Sequence, residues 1–530
     1  MIELNGHNLT LEDVWNVANR SESCVLADSA REPMRQSRAL VEKLADEPRA
    51  IYGINTGFGP LSHTRVSSKD LKQHQINLLH HLAVGQGKLF TAPETRALMV
   101  TRANALARGF SGIRECVVEL LVDCLNADIL PEVPSEGSVG ASGDLAPLAH
   151  MARLLVGLGH VRVGGKRMTA ADALEAAGLK PVVLECKEGL ALVNGTSVMT
   201  GLAALSTHEA GKALGWMELL SACCFQVLFA SPEVLCSQLH KARGFRGQSS
   251  VAARIADYLK THPGYKDRIE GHKWGSNAKP VEAGVEIQDS YSIRCAPQVL
   301  GAFQEALWHV EQVVNRELNA STDNPLIFPE METVIHGGNF YGQQIAMVSD
   351  YLRLGLIKLG LFSERQLDRL VNWRYSMGLP PLLAGGAPGL NSGMMGCQIL
   401  ATSLAAECRI MGMPASIQTI PTNANNQDVV SMGTVAAKMT QELLPKVWTL
   451  LAVESMAVAQ AGAHREAGTM GTAYRDLQDR VFALSPQLEE DRPLFDEIKA
   501  VSEMLQSETV QQACLTGVTG LPLLPERGKT

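Results

Sequence analysis

The run Tyr341-Gly342-Gln343-Gln344-Ile345-Ala346-Met347-Val348-Ser349-Asp350-Tyr351-Leu352-Arg353-Leu354-Gly355-Leu356-Ile357-Lys358-Leu359-Gly360-Leu361, continuing to Asn372, decides the fold. Ile345, Val348, Leu352, Leu356, Leu359 and Leu361 recur at three- and four-residue spacing, one stripe of a helix facing a core. Thr434 to Gln460 repeats the pattern with Leu443, Val447, Leu450, Leu451 and Val458, and Pro445 marks a place for a kink. Thr196 to Ala230 is a third long apolar run. His208, Glu209, Lys212 and Glu218 interrupt it, so it reads as a buried helix and not a membrane span. Helices of about 30 residues are rods of about 45 Å. Rods of that length need partners along their sides. The pattern therefore predicts a mainly α, long-helix bundle within a multi-subunit assembly.

Composition agrees with such a chain. Its 530 residues exceed what one compact core holds. We expect an N-terminal domain over 1–195 and a helical bundle domain over 196–530, with peripheral C-terminal helices and a loose end at Glu526 to Thr530. A net charge of -8 and pI near 6.0 lack the basic footprint of a nucleic-acid binder. Mean hydropathy near zero with 46% hydrophobic residues predicts a soluble chain that does not enter a membrane. Eleven cysteines, an odd count without a CxxC pair, point to a reducing, cytoplasmic setting and no zinc site. Cys223 and Cys224 read as buried thiols. Met1 to His7 lacks the basic-then-apolar pattern of a signal peptide.

Ahead of the bundle, Thr10 caps a helix opening at Leu11, and another helix spans about Ala30 to Ala45. Val161 to Met168 alternates around Gly164-Gly165 and predicts a hairpin, the one clear strand signal. Between them lies Val139-Gly140-Ala141-Ser142-Gly143-Asp144-Leu145-Ala146-Pro147-Leu148-Ala149-His150. Glycine lets backbone approach backbone. If the Gly143 nitrogen reaches the Ala141 carbonyl carbon, a five-membered ring can close. Loss of two waters, one from the Ser142 hydroxyl, then leaves an exocyclic methylene conjugated to a carbonyl, an electrophile that no side chain offers. Alone, the tripeptide reads as a small-residue turn with Asp144 favourably placed at a helix start.

Other polar islands interrupt good helical sequence. Tyr52 and Gly59 lie on the glycine-rich loop Ile51 to Pro60, and His81-Leu82 end an apolar run. Asn194 stands in a turn before a helix, where its amide can donate to an oxyanion. Tyr291 and Arg294, three residues apart, share a face if helical, and arginine suits bidentate capture of a carboxylate. Thr322-Asp323-Asn324-Pro325 is a turn before an extended piece, followed by His336 to Phe340. Thr422 to Asp428 is an amide cluster between two helices. Each island alone reads as a cap or turn. Their accumulation in otherwise regular helices marks a site.

The stretch Gly140 to His150, with these islands in the same order over roughly residues 10 to 480, resembles the aromatic amino acid ammonia-lyases. The resemblance implies a bundle of the histidine/phenylalanine ammonia-lyase type and a homotetramer with shared active sites. It implies a 4-methylidene-imidazole-5-one (MIO) group formed from Ala141, Ser142 and Gly143, with neither metal nor pyridoxal phosphate. It also implies that Asn194 lies beside the prosthetic carbonyl, that Tyr52 and Tyr291 handle protons, and that Arg294 and Asn324 bind the substrate carboxylate. Gly59, Phe340, Asn426 and Gln427 are implied to line the pocket. His81-Leu82 match tyrosine-preferring members, whereas histidine lyases carry glutamate at the place of Gln427. The expected substrate is L-tyrosine, deaminated to trans-p-coumarate. A tyrosine 2,3-aminomutase, a phenylalanine or histidine lyase and, distantly, a non-catalytic helical scaffold stay open.

Overall fold

The computed structural model describes residues 1–265, 288–387, 389–466 and 468–515. The expected loose end at Glu526 to Thr530 lies outside the described residues. Long helices carry the architecture: Ser197–Val227, Ala296–Leu318, Gln343–Val371 and Gly433–Ala463. The stripe read from the sequence is the buried one. Ile345, Val348, Leu352, Leu356 and Leu359 are buried, as are Leu443, Val447, Leu450, Leu451 and Val458. Helix continues through Pro445. Burying such stripes removes about 25 cal/mol per Å² of apolar surface from water, which is what holds helices of this length in place. The fold is mainly α, as the periodicity predicts.

The chain forms two compact units, each assembled from three segments. The first takes Met1–His208, Val310–Asp350 and Pro414–Gln441; the second takes Glu209–His309, Tyr351–Met413 and Glu442–Thr530. In the first, Thr10 caps the Leu11–Arg20 helix and forms a capping box with Asp13. The predicted hairpin is His160–Val163 paired with Lys166–Thr169. Gly164 and Gly165 have φ of 54° and 81°, the left-handed values that a two-residue hairpin turn demands. Ile129–Pro131 adds a third strand. Leu40, Val41, Leu44, Ile51, Ile54, Leu71, Cys186 and Ile327 form a cluster that anchors both sides of the Tyr52 loop. The Leu71–Leu82 helix packs on the Leu145–Leu155 and Glu188–Val193 helices, and just beyond its end the Gly85 nitrogen donates to His150 Nε2 at 3.2 Å.

In the second unit Trp216, Phe225, Leu450, Leu451 and Tyr474 are buried together with Cys223 and Cys224. Trp216 Nε1 donates to the Leu505 carbonyl at 2.7 Å, so burying the indole leaves no unmet donor. Among the described residues no helix is long and apolar enough to cross a membrane.

Candidate active site

Ala141, Ser142 and Gly143 turn tightly, with an isolated bridge between Ala141 and Gly143 and a second between Gly143 and Gly195. Gly143 has φ +67°, and a Cβ there would stand 2.0 Å from the Gly195 carbonyl oxygen. Only glycine fits. The Asp144 nitrogen donates to that same carbonyl at 2.7 Å. Asn194 Nδ2 donates to the Ser142 carbonyl at 2.8 Å, and Gln427 Nε2 donates to Ser142 Oγ at 3.0 Å. Asn194 Oδ1 is buried without a hydrogen-bond partner among the described residues. A tight turn that only glycine can take at residue 143, with an amide already on the central carbonyl, fits ring closure of the tripeptide.

Asp144 opens the Leu145–Leu155 helix, yet its side chain does not cap it. The carboxylate instead accepts from the backbone nitrogens of Val198 and Met199 at 2.9 and 3.0 Å, at the start of the Ser197–Val227 helix. Thr434 and Ser138 hydroxyls donate to its other oxygen. Asp144 thus stands at the start of the helix that follows it, as the sequence implies, while its carboxylate serves the start of a second one. Complete burial pushes this carboxyl up to about 6, against the pull of those donors.

Tyr52 is partly buried, and its hydroxyl accepts from the Gly59 nitrogen at 3.5 Å. Burial raises its phenol above the ordinary value, the Gly59 donor lowers it, and the Asp323 charge raises it further. A Cβ on Gly59, at φ +54°, would stand 2.8 Å from Asn423 Nδ2, so this loop lies against the amide cluster. That cluster turns through three consecutive left-handed residues, Asn423, Ala424 and Asn425, and closes where Thr422 pairs with Gln427. Asn426 within it is exposed.

His81 ends the Leu71–Leu82 helix, exposed, with Leu82 half-buried beside it. Its Nδ1 lies 3.0 Å from the Asn77 carbonyl. A carbonyl can only accept, so Nδ1 carries a proton, and in the neutral tautomer that places it there Nε2 is the acceptor. Asn324 Oδ1 accepts from the Gly337 nitrogen at 2.8 Å, tying its turn to the His336–Phe340 loop, where Phe340 is half-buried. Behind it, Lys187 Nζ and Asp323 Oδ2 form a buried ion pair at 2.6 Å.

Tyr291 and Arg294 belong to the second unit. They share a face of a short helix, as their spacing predicts, with the guanidinium 4.6 Å from the Tyr291 ring centroid. Arg294 Nη1 also donates to Gln288 at 2.7 Å. A cavity of about 820 Å³ in this unit is lined by Tyr291, Ser292, Lys358, Arg365, Asp368 and Arg409, among others.

The sequence reading missed Arg102, Lys187 and Asp323. Arg102 had a signal: a lone cation within Ala97 to Ala107, a helical stretch otherwise free of charge. The Lys187–Asp323 pair spans 136 positions and had none.

A family model described as aromatic amino acid lyase matches residues 9–482. A histidine ammonia-lyase of Geobacillus thermodenitrificans is 40% identical over 519 residues, 98% of this chain and all of that one. The crystal structure of a tyrosine aminomutase from Streptomyces globisporus superposes with TM-score 0.90 at 35% identity, covering 97% of this chain and 98% of that one. A histidine ammonia-lyase from Trypanosoma cruzi gives 0.86 at 31% identity, covering 99% and 96%.

Proposed function

Because the chain belongs to the aromatic amino acid lyase family, we propose that it releases ammonia from L-tyrosine to give trans-p-coumarate. The observation that carries the choice of tyrosine is His81. With Nδ1–H held by the Asn77 carbonyl, its Nε2 is an acceptor for a phenol O–H. A site built to pair a hydroxyl rejects the analogue lacking it by factors of about 10⁴ or more. Gln427 supports the same reading, since its neutral amide hydrogen-bonds Ser142 where histidine lyases are expected to carry glutamate.

Cyclised Ala141, Ser142 and Gly143 supply an electrophile that turns a poor amine leaving group into a better one. The chain's other residues bind and move protons. Arg294, with Asn324, holds the substrate carboxylate, and His81 holds the phenol. Tyr52, as phenolate, takes the β-proton, while Tyr291 is the second proton-handling phenol. Asn194 donates to the Ser142 carbonyl oxygen. The β-hydrogen leaves as a proton and the amine as ammonia, which balances the elimination. We place the enzyme in the cytoplasm as a homotetramer with shared sites. Tyr291, 71% exposed in the single chain, supports completion of the site by a second copy.

Histidine ammonia-lyase is the second reading, favoured by the 40% identity to the Geobacillus enzyme. Tyrosine aminomutase is the third, favoured by the close structural match. One experiment separates them: incubation with L-tyrosine, L-phenylalanine and L-histidine separately, with products identified. p-Coumarate supports the proposal, β-tyrosine makes the protein a mutase, and turnover of L-histidine alone overturns the tyrosine reading.

A further inference from the structure

Arg102 lies in the Ala92–Ala107 helix with 1% of its surface exposed. Its Nη2 donates to the Ala191 carbonyl and, at 2.8 Å, to the Asn194 carbonyl. Nη1 stands so close to Gly195 that a Cβ there would lie 2.2 Å away. Among the described residues no carboxylate pairs with this guanidinium directly, although the Asp323 and Asp144 charges act on it. Both are already engaged. Asp323 takes Lys187 and the Asn324 nitrogen, and Asp144 takes Val198, Met199, Thr434 and Ser138. A buried cation without an ion pair is costly, and a hydrophobic residue would fill the same space. What this cation does is hold two carbonyls at the C-terminal end of the Glu188–Val193 helix, one of them belonging to Asn194.

We propose that Arg102 is a positioning residue that acts on the Ser142 carbonyl through Asn194. Its grip on the Asn194 main chain fixes where the Asn194 amide points. That amide is the group 2.8 Å from the Ser142 oxygen. Charge developing at this oxygen during the reaction meets a donor already in place, which is where such a donor contributes most. Arg102 donates to the Ala191 and Asn194 carbonyls, outside the three residues that form the ring, so the ring is expected to close without it. The inference rests on the reading of the tripeptide given under Proposed function.

The test is a double-mutant cycle with Arg102→Met, Asn194→Ala and both together. Intact mass, melting temperature, kcat and KM are read on the amino acid that the unaltered enzyme turns over. Arg102→Met is expected to stay two waters lighter than its translated sequence, and to lose about 10- to 100-fold in kcat with KM little changed. The double variant is expected within about threefold of Asn194→Ala alone, because the two act as one unit. Arg102→Lys, which keeps a cation able to reach both carbonyls, is expected to restore most of kcat. Should Arg102→Met be insoluble, Arg102→Gln replaces it in the cycle. Multiplicative losses, a normal kcat in Arg102→Met, or failure of that variant to lose the two waters would each overturn the proposal. Unaltered enzyme that itself retains both waters would refute the tripeptide reading instead.

Discussion

In the proposed elimination Tyr52 serves as the base, which requires loss of its phenolic proton, and its burial works against that loss. The sign follows directly. Desolvation favours the neutral phenol, so the reactive fraction grows as pH rises and kcat climbs on the alkaline side. Tyr52→Phe is expected to lose about 10³-fold or more in kcat, and to abolish that climb. A kcat profile flat from about pH 7 to about pH 10 would reassign the base, since a free phenol titrates near 10. Ser142 makes a second case at this scale. Gln427 Nε2 stands 3.0 Å from Ser142 Oγ, the oxygen that leaves when the ring closes, so replacing Gln427 by Glu puts a carboxylate beside the carbon that becomes the methylene and removes the neutral donor. Gln427→Glu is expected to lower tyrosine turnover by about 10-fold or more, and to shift the ratio of histidine to tyrosine turnover upward. Parallel kinetics on the two amino acids check it.

The helices show which parts of the molecule could be read in the sequence. Local signals were legible: the Thr10 cap with Asp13, the Gly164-Gly165 hairpin, the three-residue spacing of Tyr291 and Arg294, and the apolar stripes. Each depends on neighbours a few positions apart. Asp144 shows the limit. Its chemistry at a helix start was legible, but the helix it serves begins at Ser197, and nothing within a few residues of Asp144 encodes that approach. Lys187 and Asp323 fail for the same reason; Arg102 stands out as the lone cation of its stretch, but its partners, 89 and 92 positions away, do not.

Glu454 sits in the Gly433–Ala463 helix, fully buried, with the Cys224 thiol donating to Oε1 at 3.8 Å and Oε2 without a partner among the described residues. Burial pushes it from 4.5 up to about 8. The folded chain therefore holds a proton that the unfolded chain releases. The stability this represents is intact below about 4.5 and lost as pH rises through about 8, at about 1.4 kcal/mol per unit between them. Glu454→Gln keeps the shape and cannot ionise. Its melting temperature relative to the unaltered protein is expected to rise steadily from about pH 5 to about pH 8. A difference that does not change with pH would show that Glu454 stays charged inside the helix pack.

At the scale of the molecule, the Met395–Ile410 helix raises the question of assembly. One face carries Cys397, Ala401, Ala405 and Cys408, all buried; the other presents Met395, Ile399 and Ile410 to solvent, the last two 66% and 81% exposed. Apolar side chains repeated along one helix face cost solvation in a lone chain and mark an interaction surface. The proposed homotetramer gives them a partner and explains why a residue assigned to proton handling, Tyr291, stands so exposed. Ile399→Lys with Ile410→Lys places two charges on that face without touching the buried side of the helix. The pair is expected to shift sedimentation from a tetramer toward smaller species. Turnover should fall in step with the loss of tetramer and recover as protein concentration is raised, because shared sites exist only where copies meet. Full turnover by a dissociated variant would refute the sharing, and an unchanged tetramer would remove this face from the interface.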